Sequence, residues 1–363
     1  MQQKNWQHLR QNQKLRQSLL MREKVVDAIR AFFKQKNYLE VETPLLVKRP
    51  GAEPYLNLFE TTLELPDESR QTGYLLTSPE YAMKKLLAAG LGSIFQICKS
   101  FRNKESLGGT HNPEFTILEF YQVEANYEQL MGVFEQLILA IANATGVQNG
   151  QLVFQGKTYD LAAPYPRFSV VELFKKYLNL SADELLDLEA LRDKATELGY
   201  DLRGLEGLST DFAWEELYNQ LFLNEIEVRL ATFDRPIIVY DYPAPQAALA
   251  RKKKTDSRFA ERFEVYLAGM ELGNAFGELI DASEQRSRLE ADLDLRRQLG
   301  KKDQEIDYDF INALESGLPE CSGMAVGVDR LIMLFADATE INQVLFFPAS
   351  ELFIDEKPGA KVK

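Results

Sequence analysis

Cysteine and histidine are nearly missing from this chain of 363 residues, which holds Cys98 and Cys321, far apart in sequence, and His8 and His111. Two cysteines in unrelated apolar contexts exclude a disulfide framework and a CxxC metal site, and both read as buried, reduced thiols. No run of about 18 apolar residues occurs, and the N-terminal MQQKNWQHLRQNQKLRQ lacks the apolar segment of a signal peptide. A soluble, cytoplasmic protein is expected. Positive charge is also in deficit, with 42 Lys and Arg against 55 Asp and Glu and a net charge of −13. Broad non-specific binding of nucleic acid works mainly by neutralising phosphates, so this balance argues against it. The basic stretches that remain, residues 1–16 and ARKKKTDSR at 250–258, read as solvated faces. Internal repeats and low-complexity linkers are absent as well.

What is abundant is apolar side chain: 45% of the residues are hydrophobic, enough for a large core. Residues 17–36 carry Val25, Ile29, Phe32 and Phe33 at helical spacing. NYLEVETPLL reads as a strand ended by Pro44. Further helices are expected at 79–90, 126–145 and 283–298, and strands at 93–102, 114–123, 236–242, 262–267 and 270–280. Residues 163–232 read as helical support, and SGMAVGVDRLIMLFAD as a strand running into a helix. The irregular, hairpin-like strand spacing favours an α+β fold, a mostly antiparallel sheet flanked by helices, over a doubly wound parallel one.

Three stretches carry chemistry. In IFQICKSFR the period of two puts Arg102 on one face with Cys98 and Ser100, and in EFTILEFYQV it puts Phe115, Glu119 and Tyr121 on one face. The joining segment, Asn103 to Pro113, is longer than a hairpin needs. An arginine fork suits phosphate or carboxylate, an aromatic ring suits a base, and a carboxylate beside a phenol suits an ammonium. A site for both a nucleotide and a cationic small molecule follows. RFEVYLAGMELGNAFGELID reads as a hairpin turning at Ala268-Gly269, with Tyr266 opposite Glu271 and Glu264 a diagonal neighbour of Glu271. Carboxylates that close repel unless neutralised; Mg²⁺ shared with substrate phosphates would do so, and a solvated face is the plainer alternative. Asn274 and Glu278 would continue that surface. In SGMAVGVDRLIML, Gly323 and Gly327 permit close backbone approach, and Arg330 falls in the first turn of a helix, where an anion would meet it and free backbone donors. A GxxxxGK[ST] loop, a strand-GxGxxG-helix unit and a HIGH-type motif are all missing, so other common ways of holding a nucleotide are excluded.

Taken in order, YLEVETPLL, FRN…HNPEFTILEFY and GVDRLIML resemble motifs 1, 2 and 3 of the class II aminoacyl-tRNA synthetases, and within them the lysine branch. The resemblance runs from about residue 17 to residue 348. DYPAPQAALAR, LPECSG and Ala325, which stands where lysyl-tRNA synthetases have glycine, are more similar to a stand-alone branch of ligases. That branch activates (R)-β-lysine and transfers it to a lysine of elongation factor P. Only about 16 residues precede the first core helix, too few for the anticodon-reading OB barrel of the synthetases. The resemblance implies a basic extension over 1–16 and one catalytic domain over 17–363 that includes the helical segment 163–232. It also implies ATP and Mg²⁺ as cofactors, (R)-β-lysine or lysine as substrate, elongation factor P as acceptor, and a homodimer formed through motif 1. One methyl group discriminates by only about 1 to 3 kcal/mol, so a lysyl-tRNA synthetase without an anticodon domain stays open as an alternative. A non-catalytic amino-acid sensor stays open too, although it would be expected to have lost Arg102, Arg330, Glu264 or Glu271.

By resemblance, Arg102 would hold the α-phosphate and the substrate carboxylate, and Arg330 would sandwich adenine against Phe115 and reach the γ-phosphate; these two arginines are the catalytic candidates. His111 would orient the triphosphate, with Glu105 and Asn112 completing the ATP site. Glu264 and Glu271 would ligate Mg²⁺. Ser78 and Glu80 would meet an amino group at the reactive end, Asn274 would lie near the carboxylate, and Glu119, Tyr121 and Glu278 would hold the ε-ammonium. Ala325 would reshape the amino-acid pocket. With so few histidines, catalysis by positioning and electrostatics fits better than acid–base chemistry. The sequence departs from the family pattern at three points: Lys104 stands where a glutamate is usual and is followed by Glu105, His111 lies one residue further from Arg102, and Ala275 replaces a glycine. ESLGGT, within the motif 2 loop, reads as flexible.

Overall fold

The computed structural model describes residues 4–247 and 249–353. Residues 1–3 and 354–363, at the outer ends of the expected extension and domain, and Ala248 in DYPAPQAALAR lie outside the described residues. An eight-stranded sheet forms the centre. Its strands are β1 (Leu39–Glu40), β2 (Ile94–Phe101), β3 (Glu114–Val123), β4 (Arg167–Ser169), β5 (Ile237–Pro243), β6 (Phe259–Leu267), β7 (Met270–Gly277) and β8 (Cys321–Gly327). They lie in the spatial order β1-β2-β3-β8-β7-β6-β5-β4. The inner strands all pair antiparallel, and only the short edge strands β1 and β4 pair parallel to their neighbours.

Helices α1 (Gln13–Gln35), α3 (Tyr127–Thr145) and α6 (Val328–Phe335) cover one face, packing Ile29, Phe33, Phe134 and Leu331 onto Leu118, Phe120, Met324 and Val326 of β3 and β8. α3 starts where the Asn126 side chain accepts from Gln129 N, and it stops at Gly146, whose φ of 87° suits glycine. Helices α2 (Glu80–Ala88), α4 (Ala282–Gln298) and α5 (Tyr308–Glu315) cover part of the opposite face through Met83, Leu289 and Phe310. A helical block from Val170 to Leu230 has its own core and seals the far part of that face against Val239 and Tyr266. The gap left between these two covers is where the sheet meets solvent.

Three expectations change. The strand expected over NYLEVETPLL shrinks to Leu39–Glu40, because ladder bonding to β2 ends at Val41 N, which donates to Phe95 O at 2.9 Å. Beyond Pro44 the chain pairs elsewhere, in a small sheet of Leu46–Val47, Arg70–Leu75 and Phe59–Glu64. Within the segment expected to be helical, Arg167–Ser169 forms β4, a strand too short for a period of two to show. Residues 4–12, part of the expected extension, lie against the main body: Asn5 Nδ2 donates to Asn342 O at 2.6 Å and to Leu345 O at 2.8 Å. Among the described residues no helix is long and apolar enough to cross a membrane.

Candidate active site

The pleat of the sheet builds the site. Gln96, Glu119, Ala325, Asn274 and Glu264 stand directly opposite one another across β2, β3, β8, β7 and β6. Adjacent strands are about 4.8 Å apart, so this row spans about 19 Å. The hairpin turn at Ala268 and Gly269 falls where expected, with both residues left-handed at φ 53° and 76°, as a two-residue type I′ turn requires. Tyr266 pairs with Glu271, as expected. A bulge then intervenes: Val265 pairs with Gly273 and Glu264 with Asn274, so Leu272 is the extra residue. The simple diagonal of Glu264 and Glu271 is thereby stretched, and the bulge is what brings Asn274 into the row.

At one end of the face lies an open cleft, lined by Arg102, Glu105, Phe115, Asn274, Ala325 and Arg330 among others. The Arg102 guanidinium sits over the Phe115 ring, 5.2 Å from its centroid. Its Nε is buried without a hydrogen-bond partner, and among the described residues Arg102 forms no ion pair. Arg330 donates from Nη1 to the Glu271 carbonyl at 2.7 Å and from Nη2 to His111 Nε2 at 3.2 Å. Arginine only donates, so His111 accepts at Nε2 and carries its proton on Nδ1, 3.3 Å from Thr110 Oγ1. Burial, and then the Arg330 charge, hold the imidazole below the usual histidine range. His111 is therefore neutral at pH 7.

The loop around ESLGGT, expected to be flexible, is tied at its tip: Gly109 N donates to Glu340 Oε2, and Ile341 N to Gly109 O, both at 2.7 Å. Asn112 lines the cleft, but its amide braces the loop, donating to Glu114 O at 2.6 Å and accepting from Ala349 N at 3.0 Å. Glu105 lines the cleft, whereas Lys104 is exposed with φ 60°.

The two carboxylates expected to hold Mg²⁺ differ. Glu271 keeps 40% of its side chain open to water, yet the surrounding protein, and then the Glu264 charge, hold its carboxyl above the ordinary range. Its nearest cation is Arg330, whose Nη1 lies 3.6 Å from Glu271 Oε2. Glu264 is buried and its oxygens are engaged: Oε1 accepts from Arg262, and Oε2 from the hydroxyls of Tyr242, at 2.6 Å, and Tyr266. A hard oxygen site centred on Glu271 fits a divalent cation shared with phosphates, with Glu264 joining only if one of these donors turns away.

At the other end the acids form a cluster in which Glu119 and Glu278 are buried and Glu80 is partly open. Ser78 Oγ donates to Glu119 Oε2 at 2.6 Å and the Tyr121 hydroxyl donates to Glu119 Oε1. Burial, and then the Glu80 charge, push the Glu119 carboxyl up to about 8. Glu80 and Glu278, expected to receive substrate amines, both contact Lys84 Nζ at 2.6 Å. Gly323 lies beneath this cluster: a Cβ there would fall 2.3 Å from the Tyr121 ring and 2.6 Å from Glu278 Oε1. The expected substrate residues Ser78, Glu80, Glu119, Tyr121 and Glu278 are thus brought together, with Asn274 and Ala325 on the cleft side.

Residues 1–351 match the class II tRNA synthetases of the D, K and N group. The chain belongs to that family. Proteins similar to this class II synthetase chain include the elongation factor P–(R)-β-lysine ligases of Avibacterium paragallinarum, Histophilus somni (strain 2336) and Pectobacterium atrosepticum. Each is 40% identical to it over 91% of this chain and 95%, 94% and 94% of its own length, respectively. Two residues important to this class II site escaped the sequence reading. Lys84 sits in a KK pair that resembles a solvated helix face, although Glu80 four residues before it was a usable signal. Asp329, beside Arg330, accepts from Thr116 N at 2.6 Å and pairs with Arg22, which fastens α6 to β3 and α1. Nothing in its local sequence announces that partner.

Proposed function

We propose that this class II synthetase chain activates a lysine-type diamino acid, (R)-β-lysine first, as an acyl adenylate, and passes the acyl group to a lysine of elongation factor P. The observation that carries this reading is the polarity of one sheet face: an arginine without a counter-ion among the described residues at one end and buried carboxylates at the other, with Ala325 and Asn274 between them. A molecule bearing a carboxylate at one end and ammonium groups toward the other complements that face. The relatives named above act, by their names, on elongation factor P and (R)-β-lysine.

Arg102 draws the substrate carboxylate to the α-phosphorus of ATP, and carboxylate oxygen attacks it in line. The bond to pyrophosphate breaks, and the acyl adenylate forms. Arg102 also offsets the charge that builds on the α-phosphate. Arg330, held by His111 Nε2, orients the departing phosphates, and Phe115 receives the adenine. Mg²⁺, held by Glu271 and in part by Glu264, would supply further charge neutralisation on the phosphates. In the second step the acceptor amine attacks the acyl carbon, the bond to AMP breaks, and the amine loses a proton. Free Cys98 and Cys321 suit a reducing, cytoplasmic setting.

ATP–pyrophosphate exchange by the purified protein, with (R)-β-lysine and L-lysine at equal concentrations, tests the first step. Exchange favouring β-lysine, followed by a mass gain on elongation factor P, is expected. Exchange with L-lysine together with tRNA charging would move the function to a tRNA synthetase, and no exchange with either amino acid would overturn the proposal.

A further inference from the structure

Lys84 is fully buried, yet it is cationic. Its Nζ lies 2.6 Å from Glu80 Oε1 and 2.6 Å from Glu278 Oε2, and 5.8 Å from the Phe310 ring centroid. Burial opposes its charge, but Glu278 and then Glu80 overcome that and hold the ammonium above the ordinary lysine range. An ammonium group built into the protein thus sits among the same carboxylates that the activation reading gives to the substrate.

We propose that Lys84 is a specificity-determining residue that sets how many positive charges the amino-acid site accepts. The proposal rests on the activation reading and adds a charge balance to it. Glu80, Glu119 and Glu278 can present three negative charges, and Lys84, tethered and buried, permanently neutralises one of them. Two remain. They match the two ammonium groups of a diamino monocarboxylic acid, whose carboxylate goes to Arg102. A monoamino acid leaves one buried carboxyl without a cation, so that group keeps its proton and the ion pair made by the second ammonium of a diamino acid is forgone. The other titratable and charged groups around the cluster are Tyr121 on β3, Cys98 near Glu119, Cys321 at the start of β8, Arg251, and Glu53 and Tyr81 near Glu80. Arg251 is held by Glu261 at 2.7 Å, so Lys84 is the cation in direct contact with Glu278.

Lys84→Met keeps the length of the side chain and removes its charge. Calorimetric binding of L-lysine and (R)-β-lysine to the full chain, from pH 6.5 to 9, together with exchange kinetics, tests it. The dissociation constant for the diamino acid is expected to rise about tenfold or more, with the pH dependence of binding moved upward, while KM for ATP changes less than about twofold. Lys84→Ala should regain diamino-acid binding with added ethylammonium and not with ethanol, and Lys84→Arg should keep the preference for diamino acids. Unchanged binding and an unchanged pH profile in a folded Lys84→Met protein would overturn the proposal, as would equal losses for ATP and amino acid, the mark of a purely structural lysine. If Lys84→Met does not fold, Lys84→Ala and its rescue decide in its place. Wild-type protein that binds a diamino acid without exchange would sink the activation reading alone, and the binding comparison would still decide the role of Lys84; wild-type protein that binds neither diamino acid would sink both.

Discussion

Arg102 has a buried Nε and, among the described residues, no counter-ion, an expensive state that an arriving anion relieves. Arg102→Ala should therefore lower ATP–pyrophosphate exchange by about 10²- to 10³-fold or more, as loss of a charge-stabilising donor does elsewhere. The melting temperature should hardly move, since no ion pair is broken; a variant with near-normal exchange would exclude this arginine from the chemistry. Glu119 gives a pH dependence. Its carboxyl is raised by burial from 4.5 to about 8, so the folded protein holds a proton that the unfolded chain has released. Stability from this group is greatest below the unfolded value and is lost as pH rises through about 8. Binding of an ammonium runs the other way, because it needs the ionised form. KM for the diamino acid should fall between about pH 6.5 and 8.5 while the free protein becomes less stable over the same interval, measurable by exchange kinetics and thermal melts. At this scale alternation along a strand placed Glu119 and Tyr121 on one face without knowledge of partners, and Ser78 and Glu80 were named by the family resemblance alone. The sequence reading overlooked Lys84, whose burial depends on contacts with Glu278 and Phe310, both distant in the chain.

Strand β8 supplies the site with small residues, and that is a structural requirement. Gly323 lets the Tyr121 ring and the Glu278 carboxylate lie against bare backbone, so Gly323→Ala forces both aside. A loss of about 1 to 3 kcal/mol in chemical denaturation, with a raised KM for the amino acid and little change for ATP, is expected. Asp329 links three elements through Arg22 and Thr116 N, and its side chain is 3% exposed. Asp329→Ala should cost about 3 kcal/mol, because it leaves a largely buried arginine without its ion-pair partner, with only Val344 O and Thr116 Oγ1, among the described residues, to accept from it. Local chemistry announced the Ala268-Gly269 turn, but not the bulge at Leu272, which is decided by how β7 fits between β6 and β8. The same limit hid β4, whose pairing with β5 reaches across the whole helical block from Val170 to Leu230.

Taken as a whole, the molecule leaves Leu20, Leu39, Leu45 and Leu46 between 37% and 49% exposed, all in α1 or the motif 1 segment after it. With β1 as an open sheet edge, this favours a homodimer through motif 1. Sedimentation at micromolar concentration should show two copies, and Leu46→Glu should shift the balance toward one. The fold class was legible because antiparallel strands announce themselves by alternation and short turns. The order of the strands was not, since order is set by contacts far apart in sequence.

That order has a consequence for how the chain is made. β8, synthesised last of the eight strands, belongs between β3 and β7 at the middle of the sheet. Until residues 321–327 are available, β3 and β7 lack the strand that joins them. Ribosomes stalled before residue 321 would release fragments in which β3 and β7 are open edges in addition to the outer ones, a form prone to aggregate. Arg330 follows within three residues of the strand that closes the gap, so the nucleotide cleft and the finished sheet come into being together.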